Sequence, residues 1–367
     1  MRPVGLYVHF PFCDGKCPYC DFYSSSEDEK TKTEYANAVV KKIAFEKEEN
    51  GFLFDSVYFG GGTPSVMRGN DLKRIAEAAL SNQDKDVLRE FTVECNPSSA
   101  SAELFDTLAS CGVNRISMGL QSAVDGERRA LGRRADAGTV SKRIKEAFSA
   151  GISNISLDLM LGIPGQTRET LKASVDFCAE SGAKHISAYM LKIEEGTPFY
   201  EMGDKLVLPG EDETCDLYNE ACEELEKSGF RQYEISNFAL PGFESFHNLK
   251  YWNDEEYLGV GASAHSFIGG KRSYYPRDTA GFIGGTEPVQ DGEGGGENEY
   301  VMLRLRLCDG LTEEGMKRRF GHAIPEKMRK AAERFTSYGL AVSDERGIRF
   351  TRKGFLVSNS LIAEIIG

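Results

Sequence analysis

Three cysteines stand within eight residues near the start of the chain: Cys13, Cys17 and Cys20, in CDGKCPYC. Thiols gathered this tightly read first as metal ligands or as a redox pair. Gly15 and Pro18 bend the segment, so one short turn can collect all three sulfurs. Three chemistries compete on spacing alone. Zinc would need a fourth ligand, and His9 is the nearest candidate. Cys17 and Cys20 have the C-x-x-C spacing of a thiol–disulfide pair, which leaves Cys13 unused. A [4Fe-4S] cube held by three thiolates leaves one iron without a protein ligand. An open coordination position makes a metal centre reactive rather than structural.

Such groups need a scaffold. Short β-branched and aromatic runs recur at 4–10, 55–60, 90–95, 114–120, 154–160 and 184–191. Amphipathic stretches lie between them, for example 71–81, 103–112 and 139–151, and several end in Gly as helices often do. YEIS (233–236) reads as a seventh strand. Strand–helix alternation with nearly continuous apolar strands predicts an α/β fold with a buried parallel sheet. About six units fall short of the eight that close a TIM barrel. The expected architecture is a partial, open TIM-type (βα)6 barrel, with a doubly wound sheet as the alternative.

Both architectures collect ligands at the C-terminal ends of the strands. The three cysteines follow the first run and GGGTP (60–64) the second. Glu94 is at the end of the third, Gln121 of the fourth, and Asp158 is in the fifth ahead of GIPGQ. One polar, Gly-rich rim is therefore expected, although a lone GGG is also a common tight turn and Asp158 could merely cap one.

Residues 1–276 are assigned to this barrel and its extension. Residues 277–299, rich in Gly and acidic groups, read as a flexible linker. From 300 to 367, helical patterns flank a hairpin-like GLAVSDERGIRFTRKG, which predicts a smaller α+β, winged-helix-like domain.

At this point the chain resembles a known family. C-x3-C-x2-C after a first strand, with Tyr19 before the last Cys, is the signature of the radical S-adenosylmethionine (SAM) superfamily. YVHFPFC, YFGGGTPS, TVECNP, SMGLQS, LGRR, SLDLMLGIPGQ and HISAYMLKIEEGTPF resemble the oxygen-independent coproporphyrinogen oxidase-like group. The resemblance implies that Cys13, Cys17 and Cys20 hold a [4Fe-4S] cluster whose fourth iron site takes SAM. It implies SAM contacts at Tyr7, Gly61, Gly62, Thr63, Glu94, Gln121, Arg133 and Asp158. Gly61 and Gly62 would admit the zwitterionic end of SAM, and Arg133 would pair with its carboxylate.

Two departures choose a branch. True coproporphyrinogen dehydrogenases carry a fourth cysteine two residues beyond the third, where this chain has Phe22, and a long extension before the first strand. HNLKYW (247–252) resembles the heme-binding motif of the HemW-type heme chaperones. His247, Asn248, Tyr251 and Trp252 are therefore expected at heme, with imidazole for iron and flat rings for the porphyrin. A plain turn with its aromatics in the core is the alternative, and His185 and His265 are rival ligands.

The resemblance implies a heme chaperone that binds heme, a [4Fe-4S] cluster and SAM, and serves a heme-acceptor protein such as a respiratory one. Reductive SAM cleavage to methionine and a 5′-deoxyadenosyl radical would draw its electron from a flavodoxin or ferredoxin. The alternatives are a coproporphyrinogen III dehydrogenase and a radical RNA-modifying enzyme. Net charge is −13 and argues against nucleic acid. Residues 301–367 carry 13 Lys/Arg against 8 Asp/Glu, which reads as a solvated basic face or a contact for an acidic partner. No run approaches the roughly 20 apolar residues of a membrane span. Nine cysteines without a regular disulfide framework suit the cytoplasm.

Overall fold

The computed structural model describes residues 2–367. Six parallel strands form its centre: β1 (Arg2–Phe10), β2 (Phe52–Gly61), β3 (Glu90–Cys95), β4 (Arg115–Gln121), β5 (Asn154–Leu161) and β6 (His185–Met190). They pair in chain order without reversal. A doubly wound sheet would reverse at a switch point, so the open (βα)6 arrangement is the one adopted. The main connecting helices are Glu29–Asn50, Gly69–Leu80, Ala102–Ser110, Ala137–Ser149 and Arg168–Glu180, and Glu211–Lys227 follows β6.

The strands form because almost every side chain can be buried. Val4, Leu6, Val8 and Phe10 alternate along β1 and are fully buried, and five of the six residues of β3 are buried. The helices start where a polar side chain accepts an otherwise orphaned backbone N–H. Asp28, Ser101, Asp136 and Thr167 each do so at the head of a barrel helix, a contribution of about 1 kcal/mol apiece.

The sheet continues on both sides to twelve strands. Beyond β6 lie β7 (Arg231–Gln232) and β8 (Asn237–Ala239). Beyond β1 lie β9 (Tyr257–Val260), β10 (His265–Ile268), β11 (Lys271–Tyr274) and β12 (Val289–Glu293). Two expectations change here. YEIS is no barrel strand. It is the bend between β7 and β8, and its backbone crosses to the C-terminal region through Ile235 N–H to Arg306 O and Cys308 N–H to Tyr233 O, both 3.0 Å.

Residues 277–299 are not a structureless linker either. They form the short helix Thr279–Ile283 and the edge strand β12. Phe282 is buried, with its ring 5.1 Å from those of both Tyr35 and Tyr275. The Gly-rich composition misleads because one aromatic side chain supplies the anchor.

Residues from Tyr300 onward have their own core, including Val301, Leu311, Met316, Ile348 and Ile365. An antiparallel sheet of β13 (Leu311–Thr312), β14 (Ala341–Asp344) and β15 (Gly347–Phe350) packs with helices before and after it. No helix among the described residues is long and apolar enough to cross a membrane.

Candidate cluster site and adjoining aromatic pocket

The loop after β1 is pinned at several points. Cys13 N–H donates to Ser25 O (3.0 Å), Ser25 N–H to Pro11 O (2.9 Å) and Phe199 N–H to Pro18 O (2.9 Å). Asp14 pairs with Arg134 at 2.9 Å. A side chain at Gly132 would come within 2.8 Å of the Pro18 ring, so this glycine lets the loop seat.

The three thiols lie close enough to act on one another electrostatically. Burial raises the pKa of the Cys20 thiol, and the neighbouring charges of Cys17 and Cys13 add to the rise. Three thiolates held together repel, and a cationic iron cluster removes that repulsion. Thr63 Oγ1 lies 3.2 Å from Cys13 Sγ, and Arg133 Nη1 lies 3.7 Å from Cys17 Sγ. These residues fit a cluster. The zinc reading fails on His9, whose Nδ1 meets Tyr7 OH and whose Nε2 meets Tyr23 O, both at 3.1 Å. Among the described residues no three His, Cys, Asp or Glu side chains close on a single ion. Cluster thiolates bind different irons, so they need not converge in that way.

The polar rim assembles around the same mouth. Glu94 accepts from Tyr58 OH (2.7 Å) and Gly61 N–H (3.1 Å). Burial raises its carboxyl to about 7, with Asp158 nearby adding to the shift. Burial likewise raises Asp158, which accepts from Ser117 Oγ at 3.3 Å. Arg133 donates to Gly119 O at 3.0 Å. A side chain at Gly119 would come within 2.8 Å of Arg133 and 2.9 Å of Gln121. Gln121 has φ +69°, unusual for a residue with a Cβ, and its buried Oε1 has no hydrogen-bond partner. Strain and an orphaned acceptor at one residue mark a place shaped for a ligand.

The two glycines also have a packing role. A Cβ at Gly61 would lie 2.5 Å from the His9 ring, and one at Gly62 would lie 2.7 Å from Phe10 O and Phe12 O. Both are needed because the end of β1 and Phe12, just ahead of the first cysteine, pack directly against this turn.

The HNLKYW segment forms the helix Phe246–Trp252. Glu90 caps it, accepting from Phe246 N–H (2.8 Å), His247 N–H (3.2 Å) and Ser245 Oγ (3.2 Å). His247 is fully buried, and both ring nitrogens are engaged: Nδ1 with Ser56 Oγ (2.8 Å) and Nε2 with Tyr251 OH (2.7 Å). Burial, with Lys250 and Arg115 nearby, lowers its pKa to about 3. In this conformation neither His247 nitrogen is free, which bears on the question of a direct iron contact that the sequence leaves open. His247 is the strut that holds Tyr251.

Tyr251 does reach a cavity. An open pocket of about 410 Å³ lies beside the cysteine loop, walled by Tyr7, Tyr23, Tyr251, Tyr257 and Phe22, with His265 and Arg277 at its rim. Asn248 and Trp252 do not line it. Phe22, two residues past the last cluster thiol, is 62% exposed there. His185, the other rival, is buried between Ser156 and Tyr233 at 2.8 Å each. Sequence reasoning missed Ser56, Tyr58, Glu90 and Arg277. Only Tyr58 carried a local signal, two residues before the glycine run.

Comparison with known proteins identifies the family and the fold. The radical SAM superfamily model matches residues 7–178, and the HemN C-terminal domain model matches residues 298–357. The heme chaperone HemW of Lactococcus lactis is 33% identical over 376 residues, spanning 100% of this chain and 98% of that protein. The heme chaperone HemW of Bacillus subtilis is 32% identical, spanning 98% of each. Among solved structures, the coproporphyrinogen III oxidase HemN of Escherichia coli superposes with a TM-score of 0.83 over 99% of this chain and 90% of that one. At 20% identity that likeness shows the fold. By its end-to-end similarity to these relatives, the chain belongs to the HemW family of the radical SAM superfamily.

Proposed function

We propose that the protein is a heme chaperone on a radical SAM scaffold. It takes up heme, keeps a [4Fe-4S] cluster on Cys13, Cys17 and Cys20, binds SAM beside that cluster and passes heme to an acceptor protein. The observation that carries this reading is the full-length match to heme chaperones, at 33% and 32% identity with both chains covered almost throughout. The aromatic pocket next to the cysteine loop supports it, because a porphyrin needs flat apolar walls.

Arg133 and Gln121 would receive the amino-acid end of SAM, the first through charge and the second through its unpartnered oxygen. Glu94 and Asp158 offer acceptors to its amino group or ribose hydroxyls, while Tyr7 and Thr63 complete the rim. Gly61 and Gly62 keep the loop close enough for this to happen. When bound, the cluster and SAM supply one-electron reductive chemistry, and the protein contributes orientation and exclusion of water. A small flavoprotein or iron–sulfur protein is the donor we propose, a respiratory heme protein the acceptor, and the cytoplasm the compartment.

Hemin titration of the anaerobically reconstituted protein, run beside a coproporphyrinogen III assay, tests the reading. The expected result is a Soret band, heme transfer to an apo-acceptor and no porphyrinogen conversion. Formation of protoporphyrinogen IX without heme transfer overturns it.

A further inference from the structure

Five histidines occur in the chain, and their ring nitrogens are not equally free. His9, His185 and His247 each have both nitrogens hydrogen-bonded inside the barrel. His322 lies in the C-terminal region, with Nδ1 at 2.9 Å from Ala323 O and Nε2 at 3.2 Å from Glu297. Among the described residues, His265 alone of the five has neither nitrogen in a hydrogen bond or ion pair, and it stands on the rim of the aromatic pocket.

Its setting is rigid. His265 opens β10 after a tight turn in which Ser263 has φ +72°. A Cβ at Gly259 would come within 2.0 Å of His265 O, so the two backbones meet directly. The imidazole stacks on its cross-strand partner Tyr274 at 5.4 Å and 26°. A ring fixed in orientation with open nitrogens is what a metal ligand requires.

The other pocket groups define the ligand. Tyrosine can also bind heme iron, but the four phenols here are occupied. Tyr7 OH meets His9, Tyr23 OH meets Thr279, Tyr251 OH meets His247, and Tyr257 OH accepts from Arg272. Their rings remain as flat walls. Arg277 is exposed at the rim and has no hydrogen bond or ion pair among the described residues, so a guanidinium is available for a carboxylate. Aromatic walls, one open imidazole and one open guanidinium match an iron porphyrin with propionate side chains.

Resting on the heme-chaperone reading above, we propose that His265 is the axial ligand through which this protein holds heme iron. The macrocycle lies on Tyr251 and Tyr257, and Arg277 receives a propionate. Partial burial lowers the His265 pKa against the opposing charge of Asp291, with Arg272 and Arg277 adding to the fall, and this direction favours the neutral imidazole that metal binding needs. His247 acts one step away as a positioning residue, through Tyr251.

The experiment is hemin titration of the full-length reconstituted protein, read by the Soret band and by EPR. It compares wild type, His265→Ala, Arg277→Ala and His247→Ala. His265→Ala is expected to lose the imidazole-ligated signature while keeping its iron–sulfur content, and added imidazole restores the signature. Arg277→Ala is expected to bind hemin roughly tenfold or more weakly with an unchanged signature, the scale of one hydrogen bond to a charged group. A wild-type signature in His265→Ala overturns the assignment and leaves the chaperone reading standing. So does loss of the signature, rescued by imidazole, in His247→Ala alone. Failure of the wild type to bind hemin at all overturns both.

Discussion

Arg133 joins the cysteine loop to the barrel: one guanidinium nitrogen lies 3.7 Å from Cys17 Sγ and another 3.0 Å from the carbonyl oxygen of Gly119. The two contacts come from opposite arms of one planar fork. Arg133→Lys keeps the charge but cannot span both. It is expected to weaken SAM binding by about 1.5–3 kcal/mol, the range for hydrogen bonds to charged groups. Calorimetric titration with SAM checks this, and wild-type affinity in the lysine variant would show that charge alone suffices.

His247→Ala leaves Ser56 Oγ and Tyr251 OH without a buried partner and opens a cavity between them. A loss of about 3 kcal/mol in folding stability is expected. Hemin affinity falls with it as Tyr251 loosens. Denaturant midpoints with and without hemin separate the two effects.

Glu94 has a folded-state pKa of about 7 against an ordinary 4.5. Between these values the folded protein holds a proton that the unfolded chain has released. Stability contributed by the protonated carboxyl is therefore complete below about pH 4.5 and is lost as pH rises to about 7. Glu234, also raised to about 7 by burial, works in the same window. Each contributes on the order of 3 kcal/mol. The double variant Glu94→Gln, Glu234→Gln should flatten the pH dependence of unfolding across this range. An unchanged slope would refute the protonated carboxyls.

Gln121 is strained at φ +69°, and its buried oxygen lacks a partner. Gln121→Gly removes both costs and is expected to raise the stability of the ligand-free protein by about 1 kcal/mol. The same change should shrink the rise in melting temperature that SAM produces. Lower ligand-free stability in the glycine variant would contradict a site strained for binding.

Phe282→Ala tests the segment that composition presents as a linker. Its ring is buried between Tyr35 and Tyr275, so about 3–5 kcal/mol of stability should be lost. A neutral substitution, measured by denaturant unfolding, would restore the linker reading.

The barrel was legible in the sequence because its signals are local. The strand at 90–95 matches β3 residue for residue, and the other five barrel strands lie within three residues of the expected limits. Parallel strands buried on both faces must be short apolar runs, and helices must begin and end with capping residues. Cys13, Cys17 and Cys20 were legible for the same reason, since eight residues contain the whole motif.

Tertiary structure alone decided which histidine is free. His247 and His265 both lie in aromatic-rich stretches, and their types are identical. Ser56, 191 residues from His247 in the chain, and Tyr251 take both nitrogens of the first. The turn after β9 leaves those of the second open beside Arg277. Likewise Tyr23 meets Thr279 across 256 residues, which turns a Gly-rich stretch into a wall behind the cysteine loop. Local sequence sets which side chains a segment carries. Whether a polar atom still has a valence to offer depends on the neighbours that folding brings to it.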